Sequence, residues 1–196
     1  MLELLYPAGQ APVIPSPRSY LADQTNVVAD EILPVVEPSG VVIGQSLRSY
    51  IHSEGNILHP VVHMHIIDRD GSLFLQKRAS SKSLYPGIWD MAVGGHVSYG
   101  ESIGEALARE AAEELNFRDF NPIDLVTFRY ECGNDIELVS LFAAVGHFDI
   151  NPVSLEVDDG RYWTKEEIEE NLGKSVFTPT FEYEYRQYYN ALVALL

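Results

Sequence analysis

Three carboxylates stand close together in one short stretch: Glu110, Glu113 and Glu114, within the run from Ser102 to Phe117. The run reads as a helix. Ser102 lies three residues before Glu105, a capping-box pair that satisfies the first free amides. Ala, Leu and Glu, all good helix formers, fill the turns that follow. At about 100° per residue, Gly104, Leu107, Ala108, Ala111, Ala112 and Leu115 share one side. Glu110, Glu113 and Glu114 share the other, since residues three and four apart are neighbours on a helix. Carboxylates this close repel each other and raise each other's proton affinity. Two readings follow: a solvated acidic face paired only with Arg109, or a set of oxygen ligands for a hard divalent cation such as Mg²⁺.

The wider spacing selects between them. Gly95 is followed by five residues, Glu101, seven residues, and then Arg109-Glu110-Ala111-Ala112-Glu113-Glu114-Leu115-Asn116-Phe117. This resembles the signature of the Nudix hydrolase superfamily, in which Arg-Glu and Glu-Glu pairs follow a Gly and a Glu at those intervals. Asn116 departs from it, because the family has Gly there. Asn is the next-best residue for a left-handed helix end, so the fold is not threatened. The resemblance implies an α+β (layered α/β/α) Nudix fold, a mixed sheet sandwiched between helices. It also implies a metal-dependent hydrolase of a diphosphate bond in a nucleoside-diphosphate-type or related compound. On these positions Glu110, Glu113 and Glu114, with the Gly95 carbonyl, hold Mg²⁺ or Mn²⁺, and one glutamate serves as base. Glu101 and Arg109 are expected to brace loop and helix by a structural salt bridge and not to touch substrate.

A narrower likeness comes from Gln76-Lys77-Arg78-Ala79-Ser80-Ser81-Lys82, Tyr85-Pro86-Gly87-Ile88-Trp89-Asp90 and Val93-Gly94-Gly95-His96. These segments resemble the branch containing type I isopentenyl-diphosphate isomerases and their hydrolase-like relatives. The resemblance implies that Arg78 and Lys82 hold the substrate diphosphate. It also implies a second divalent-metal site of His52, His59, His96, Asp135 and Glu137, a ligand set that suits Zn²⁺, Mn²⁺ or Fe²⁺. One departure matters: Gly94 stands where the isomerases have their catalytic cysteine, and glycine cannot move a proton. With Arg109 and Glu110 intact, hydrolysis is favoured over isomerisation. An isomerase-like enzyme and a non-catalytic ligand-sensing domain are the alternatives. His63, His65 and His147 are read as ordinary core or surface histidines.

The elements that must position these residues follow in order. Residues 1–30, with Pro7, Pro12, Pro15 and Pro17, form an N-terminal arm, and 31–196 the Nudix domain. Two short strands flank the turn Glu37-Pro38-Ser39-Gly40, and a short helix spans Ser46 to Ser53 before Gly55. A hairpin turns at Asp68-Arg69-Asp70-Gly71, with Val62, Met64, Ile66, Leu73 and Leu75 inward. Another hairpin joins 124–132 to 136–145 around Gly133-Asn134. Thr164 and Glu167 cap a further helix, and a last helix from Pro179 buries Phe181, Tyr185, Tyr188, Leu192 and Leu195.

Composition sets the outer bounds. The chain has 196 residues, is 46% hydrophobic, and carries a net charge of −16, with 29 acidic against 13 basic residues. It has apolar content for a core, and its surface does not attract nucleic acid or anionic membrane. A lone cysteine, Cys132, excludes an internal disulfide framework. The start lacks a basic residue before its apolar run, and no apolar run has membrane-spanning length, so a cytoplasmic protein is expected. The expected partner is a small-molecule diphosphate, with the arm and the Tyr-rich last helix as surfaces for a homodimer.

Overall fold

The computed structural model describes residues 1–6, 30–133, 135–152 and 154–196, apart from the side chain of Glu54. Most of the expected N-terminal arm therefore lies outside the described residues, as does Asn134 of the second hairpin turn. The elements in chain order are β1 Ile32–Val36, β2 Val42–Leu47, α1 Arg48–Glu54, β3 Leu58–Ile67, β4 Leu73–Arg78, β5 Trp89–Asp90 and β6 Val93–His96. They continue with α2 Ile103–Leu115, β7 Ile123–Cys132, β8 Asp135–Val145, β9 Val157–Trp163, α3 Lys165–Asn171 and α4 Pro179–Val193. Strands β1 and β2 form a two-stranded sheet, and the others a sheet ordered β5-β4-β3-β8-β7, with β6 on β3 and β9 on β4. This is the α+β class expected from the sequence. No helix among the described residues is long and apolar enough to cross a membrane.

The chain divides into two compact units. One comprises Met1–Val61, His96–Ala106 and Thr127–Ser140. In it β1 and β2 pair antiparallel around the expected turn, closed by Gly40 N–H to Glu37 O at 2.9 Å. Gly40 takes φ +85°, the left-handed conformation that favours glycine. Leu5 bridges Val41, and Val36, Val42 and Leu138 pack with Leu2, Leu4, Leu58 and Tyr99. Gly55, at φ 67°, ends α1.

The other unit comprises Val62–Gly95, Leu107–Val126 and Leu141–Leu196. β4 is its hub, antiparallel to β3, to β5 and along its whole length to β9. The residues expected inward from the hairpin, Val62, Met64, Ile66, Leu73 and Leu75, are all buried. All but the first residue of β3 are buried, so both its faces are covered. α3 has the expected capping box, with Thr164 N–H to Glu167 Oε2 at 2.9 Å and Glu167 N–H to Thr164 Oγ1 at 3.2 Å. α4 starts with Pro179 behind the Thr178 cap, which accepts from Phe181 N–H at 3.2 Å.

The buried side of α4 differs from the expected stripe. Phe181, Tyr185 and Leu192 are buried, but Tyr189 replaces Tyr188, Leu195 is only partly buried, and Glu182 and Glu184 go inside. The stripe was read from apolar residues alone, whereas Glu184 lies three residues from Phe181 and is drawn in by His63 and His65 of β3.

The helix α2 keeps its expected ends. Ser102 N–H donates to Glu105 Oε2 at 2.9 Å, and Glu105 N–H to Ser102 Oγ at 3.3 Å. Asn116 takes φ 51°, and Phe117 N–H closes onto Ala111 O at 3.0 Å. Its faces differ from the wheel. Leu107, Ala111, Glu114 and Leu115 are buried, Glu110 is half-buried, and Ala108 and Glu113 are exposed. The three glutamates thus span a gradient from solvent to core.

Candidate active site and histidine cluster

The two glycines of β6 each meet a glutamate of α2. Gly94 N–H donates to Glu114 Oε2 at 3.0 Å. A Cβ on Gly95 would lie 2.0 Å from Glu110 Cδ and 2.2 Å from its Oε1. Gly95 is not in the left-handed region, so the requirement is for space, not for conformation. The carboxylate of Glu110 therefore lies directly on the Gly95 backbone.

Arg109 organises the rest of this face. Its Nη1 donates to Glu110 Oε1 at 2.8 Å and to Glu113 Oε2 at 3.1 Å. Burial pushes the Glu114 carboxyl up to about 8, against the hydrogen bonds from Gly94 and Gln76 and with the charges of Glu110 and Asp90 adding to the rise. Asp90 is also raised by burial, opposed by Arg78 and by the Thr178 hydroxyl at 2.6 Å. A carboxyl that burial keeps protonated, with acidic neighbours adding to the rise, is the electrostatic situation that a divalent cation relieves. Carboxylates and a backbone carbonyl are the oxygen ligands that Mg²⁺ and Mn²⁺ take.

The loop cations occupy separate contacts. Arg78 Nη1 lies 3.3 Å from Asp90 Oδ2, and its Nε donates to Leu84 O at 3.2 Å. Lys82 Nζ pairs with Glu156. Glu101 accepts from Ser98 N–H at 3.1 Å.

The five residues of the expected second metal site come together. Among the described residues, the ligand atoms of His52, His59 and His96 lie within 4.8 Å of one another, as do those of His59, Asp135 and Glu137. The glutamates of α2 are not among such convergent groups. His59 Nδ1–H donates to Ile57 O at 3.1 Å, which leaves the lone pair on Nε2. That nitrogen faces Asp135 Oδ1 at 3.7 Å, and both atoms are buried with no hydrogen-bond partner. Two buried acceptors facing each other with no proton between them call for a cation. His52 Nδ1 meets Asp135 Oδ2 at 3.2 Å, and His52 Nε2 meets His96 Nε2 at 3.1 Å. Burial holds the His59 imidazole below its usual range, against the Ile57 bond and Asp135, so the ring is kept in its ligating form. For Asp135 burial works upward, but the His52 bond and the nearby His59 outweigh it and keep the carboxyl low.

A family model for the NUDIX domain matches residues 57–181. The chain belongs to the Nudix family. It is 39% identical over 100 residues to an uncharacterized Nudix hydrolase of Nostoc sp., covering 51% of this chain and 59% of that one. It is 38% identical over 86 residues to an isopentenyl-diphosphate Delta-isomerase of Leifsonia xyli, covering 44% and 46% of the two chains. The chain thus spans about half the length of these two relatives. A Streptomyces coelicolor Nudix hydrolase, also named uncharacterized, is 33% identical over 158 residues, 77% of this Nudix chain and 84% of its own. Among solved structures, Deinococcus radiodurans DR0079 matches with a TM-score of 0.67 and 26% identity, over 81% of this chain and 99% of that one. The expected superfamily and fold are borne out, and hydrolases and isomerases both occur among the relatives, as the two sequence likenesses implied.

Sequence reasoning passed over three residues. His63 and His65, read as ordinary, share the buried Glu184 at 2.6 Å and 2.8 Å. The signal was present: two histidines alternate within the apolar run 61–67, and a glutamate sits in the apolar stripe of the last helix.

Proposed function

We propose that this Nudix chain hydrolyses a diphosphate bond in a nucleoside-diphosphate-type or related compound, with Glu110, Glu113, Glu114 and the Gly95 carbonyl holding Mg²⁺ or Mn²⁺. The observation that carries this reading is the close seating of Glu110 on Gly95 and of Glu114 on the Gly94 amide. A cation bound there supplies polarisation of a phosphoryl oxygen and a lower pKa for its water. Arg109 already neutralises Glu110 and Glu113, and it yields those oxygens when a stronger cation arrives. Glu113, exposed and paired with Arg109, or Glu114 takes the proton from the attacking water. Arg78 and Lys82 turn from Asp90 and Glu156 to the substrate phosphates. The substrate is a small molecule, and neither nucleic acid nor membrane is a partner of so acidic a chain. The test is a screen of nucleoside-diphosphate compounds with Mg²⁺ and Mn²⁺, scored for phosphate-ester products. It includes ADP-ribose, the ligand of the Nudix domain of Shewanella oneidensis NrtR. Absence of any product across the screen refutes the reading.

A second reading has its own observation. The convergence of His52, His59, His96, Asp135 and Glu137 suits an additional Zn²⁺, Mn²⁺ or Fe²⁺ ion and an isomerase-like enzyme. Gly94 opposes it, having no side chain to carry a proton. Incubation with isopentenyl diphosphate separates the two: an allylic isomer favours isomerisation, and phosphate release favours hydrolysis.

A further inference from the structure

Two of the three clustered histidines stand on paired strands, and the third does not. His59 lies on β3 and His96 on β6, which pairs with it. His52 lies on α1, a helix of seven residues. A helix this short is not stable by itself in water, so tertiary contacts must hold it. Its N-cap, Leu47, makes no side-chain cap bond. Partners for its first turn come instead from the segment that leads into β1. Arg48 N–H donates to Glu31 O at 2.8 Å, and Ser49 N–H to Asp30 Oδ1 at 3.3 Å. The Ser49 hydroxyl also pairs with Asp30.

The same segment is tied to the loop that follows His96. Ser98 Oγ–H donates to Glu31 Oε1 at 2.8 Å, and Tyr99 N–H to Ile32 O at 2.8 Å. That loop is in turn fixed beside His59, by Val97 N–H to Pro60 O at 3.2 Å. Glu31 therefore has its main chain on the helix of His52 and its side chain on the loop of His96. The Tyr99 bond alone would let the segment pivot, and the Ser98 bond supplies a second point. The other Glu31 oxygen faces Arg48 Nη1 at 3.4 Å, a partly exposed pair that adds little. Across this bridge His52 Nε2 stands 3.1 Å from His96 Nε2, and His52 Nδ1 stands 3.2 Å from Asp135 Oδ2.

We propose that Glu31 is a positioning residue of the histidine cluster, bridging α1 to the loop after β6 so that His52 is held beside His96 and Asp135. The proposal rests on the reading of that cluster as a divalent-metal site, which the facing, unpartnered His59 Nε2 and Asp135 Oδ1 support. It does not depend on the reaction assigned to the glutamates of α2. A ligand held in place before the cation arrives need not be ordered when it binds, and losing a partner that orients a ligand costs about 10- to 100-fold in metal affinity.

The test measures Zn²⁺ affinity of the full chain by competition with a chromophoric chelator, alongside Tm of the metal-free protein. Glu31→Ala should bind about tenfold more weakly than wild type. Ser98→Ala removes the other end of the same bond and should show the same loss. Glu31→Gln keeps an oxygen for Ser98 and should stay near wild type. In a His52→Asn background, Glu31→Ala should weaken binding no further, since the residue it positions is gone. A Glu31→Ala variant with a lowered metal-free Tm but wild-type affinity marks a purely structural residue and overturns the proposal. So does a loss that is equally large in Glu31→Gln, or one that persists in full in the His52→Asn background. A wild-type chain that binds Zn²⁺ no better than His52→Asn overturns the metal reading of the cluster and the proposal with it, and leaves the hydrolase reading standing.

Discussion

Replacing Gly95 with alanine separates the space requirement at the glutamates from the stability of the fold. The new methyl would stand 2.0 Å from Glu110 Cδ, 2.2 Å from Oε1 and 2.5 Å from Cγ. Carbon atoms rest at about 3.5 Å, so the carboxyl must retreat by roughly 1.5 Å. The backbone poses no obstacle, because Gly95 lies outside the left-handed region. What moves is the end of a flexible side chain, which has to shift against Arg109, a cost of about 1 kcal/mol. The catalytic cost is larger. Misplacing a catalytic group by about 1 Å loses on the order of 10²-fold in rate, or ~2.7 kcal/mol of transition-state stabilisation. Steady-state kcat/KM with Mg²⁺, on whichever compound the screen identifies, should fall about a hundredfold while Tm drops by only a few degrees. Turnover within threefold of wild type would refute the assignment of Glu110 as a metal ligand seated on Gly95. Loss of turnover that merely tracks unfolding refutes it too.

Glu114→Gln should keep the fold and lose most metal-dependent turnover. Without metal, the raised Glu114 pKa gives a definite sign. Its contribution to stability is complete below the usual 4.5 and is lost as pH climbs toward about 8, because the unfolded chain ionises first. Thermal melts in chelator should therefore show Glu114→Gln gaining on wild type across that window, and a constant gap contradicts the burial argument. Zn²⁺ or Mn²⁺ should raise Tm through the histidine cluster, and His59→Asn should remove that increment. The effect should fade in acid, once pH falls into the lowered range of His59 and protons compete for its ring. A rise in Tm that survives in His59→Asn assigns the metal elsewhere. Glu184→Ala strips the carboxylate from two buried histidines and should cost ~3–5 kcal/mol in denaturant melts. A loss below about 1 kcal/mol means that the pair is already solvated.

What could be read from the sequence was what depends on neighbours along the chain. Ser102 with Glu105, Thr164 with Glu167 and the left-handed Asn116 are local hydrogen-bonding and backbone choices, and they appear as expected. The hairpins, too, are set by their turns and apolar strands. The candidate metal residues were legible because their spacing resembles a known signature.

Tertiary structure decided everything that depends on which way an element faces and what meets it. Helical spacing fixes the angles between Glu110, Glu113 and Glu114 but not the orientation of the helix toward the core. Only packing put Glu114 inside, Glu113 in water and Ala108 out. The tight fit of Gly95 involves a residue fifteen positions away on another element, and Glu184 meets His63 across 121 positions. A sequence window sees a histidine, a glutamate and a glycine separately. Folding brings a strand and a helix together at His63, His65 and Glu184, and there the histidines hold the carboxyl low against the desolvation that would raise it.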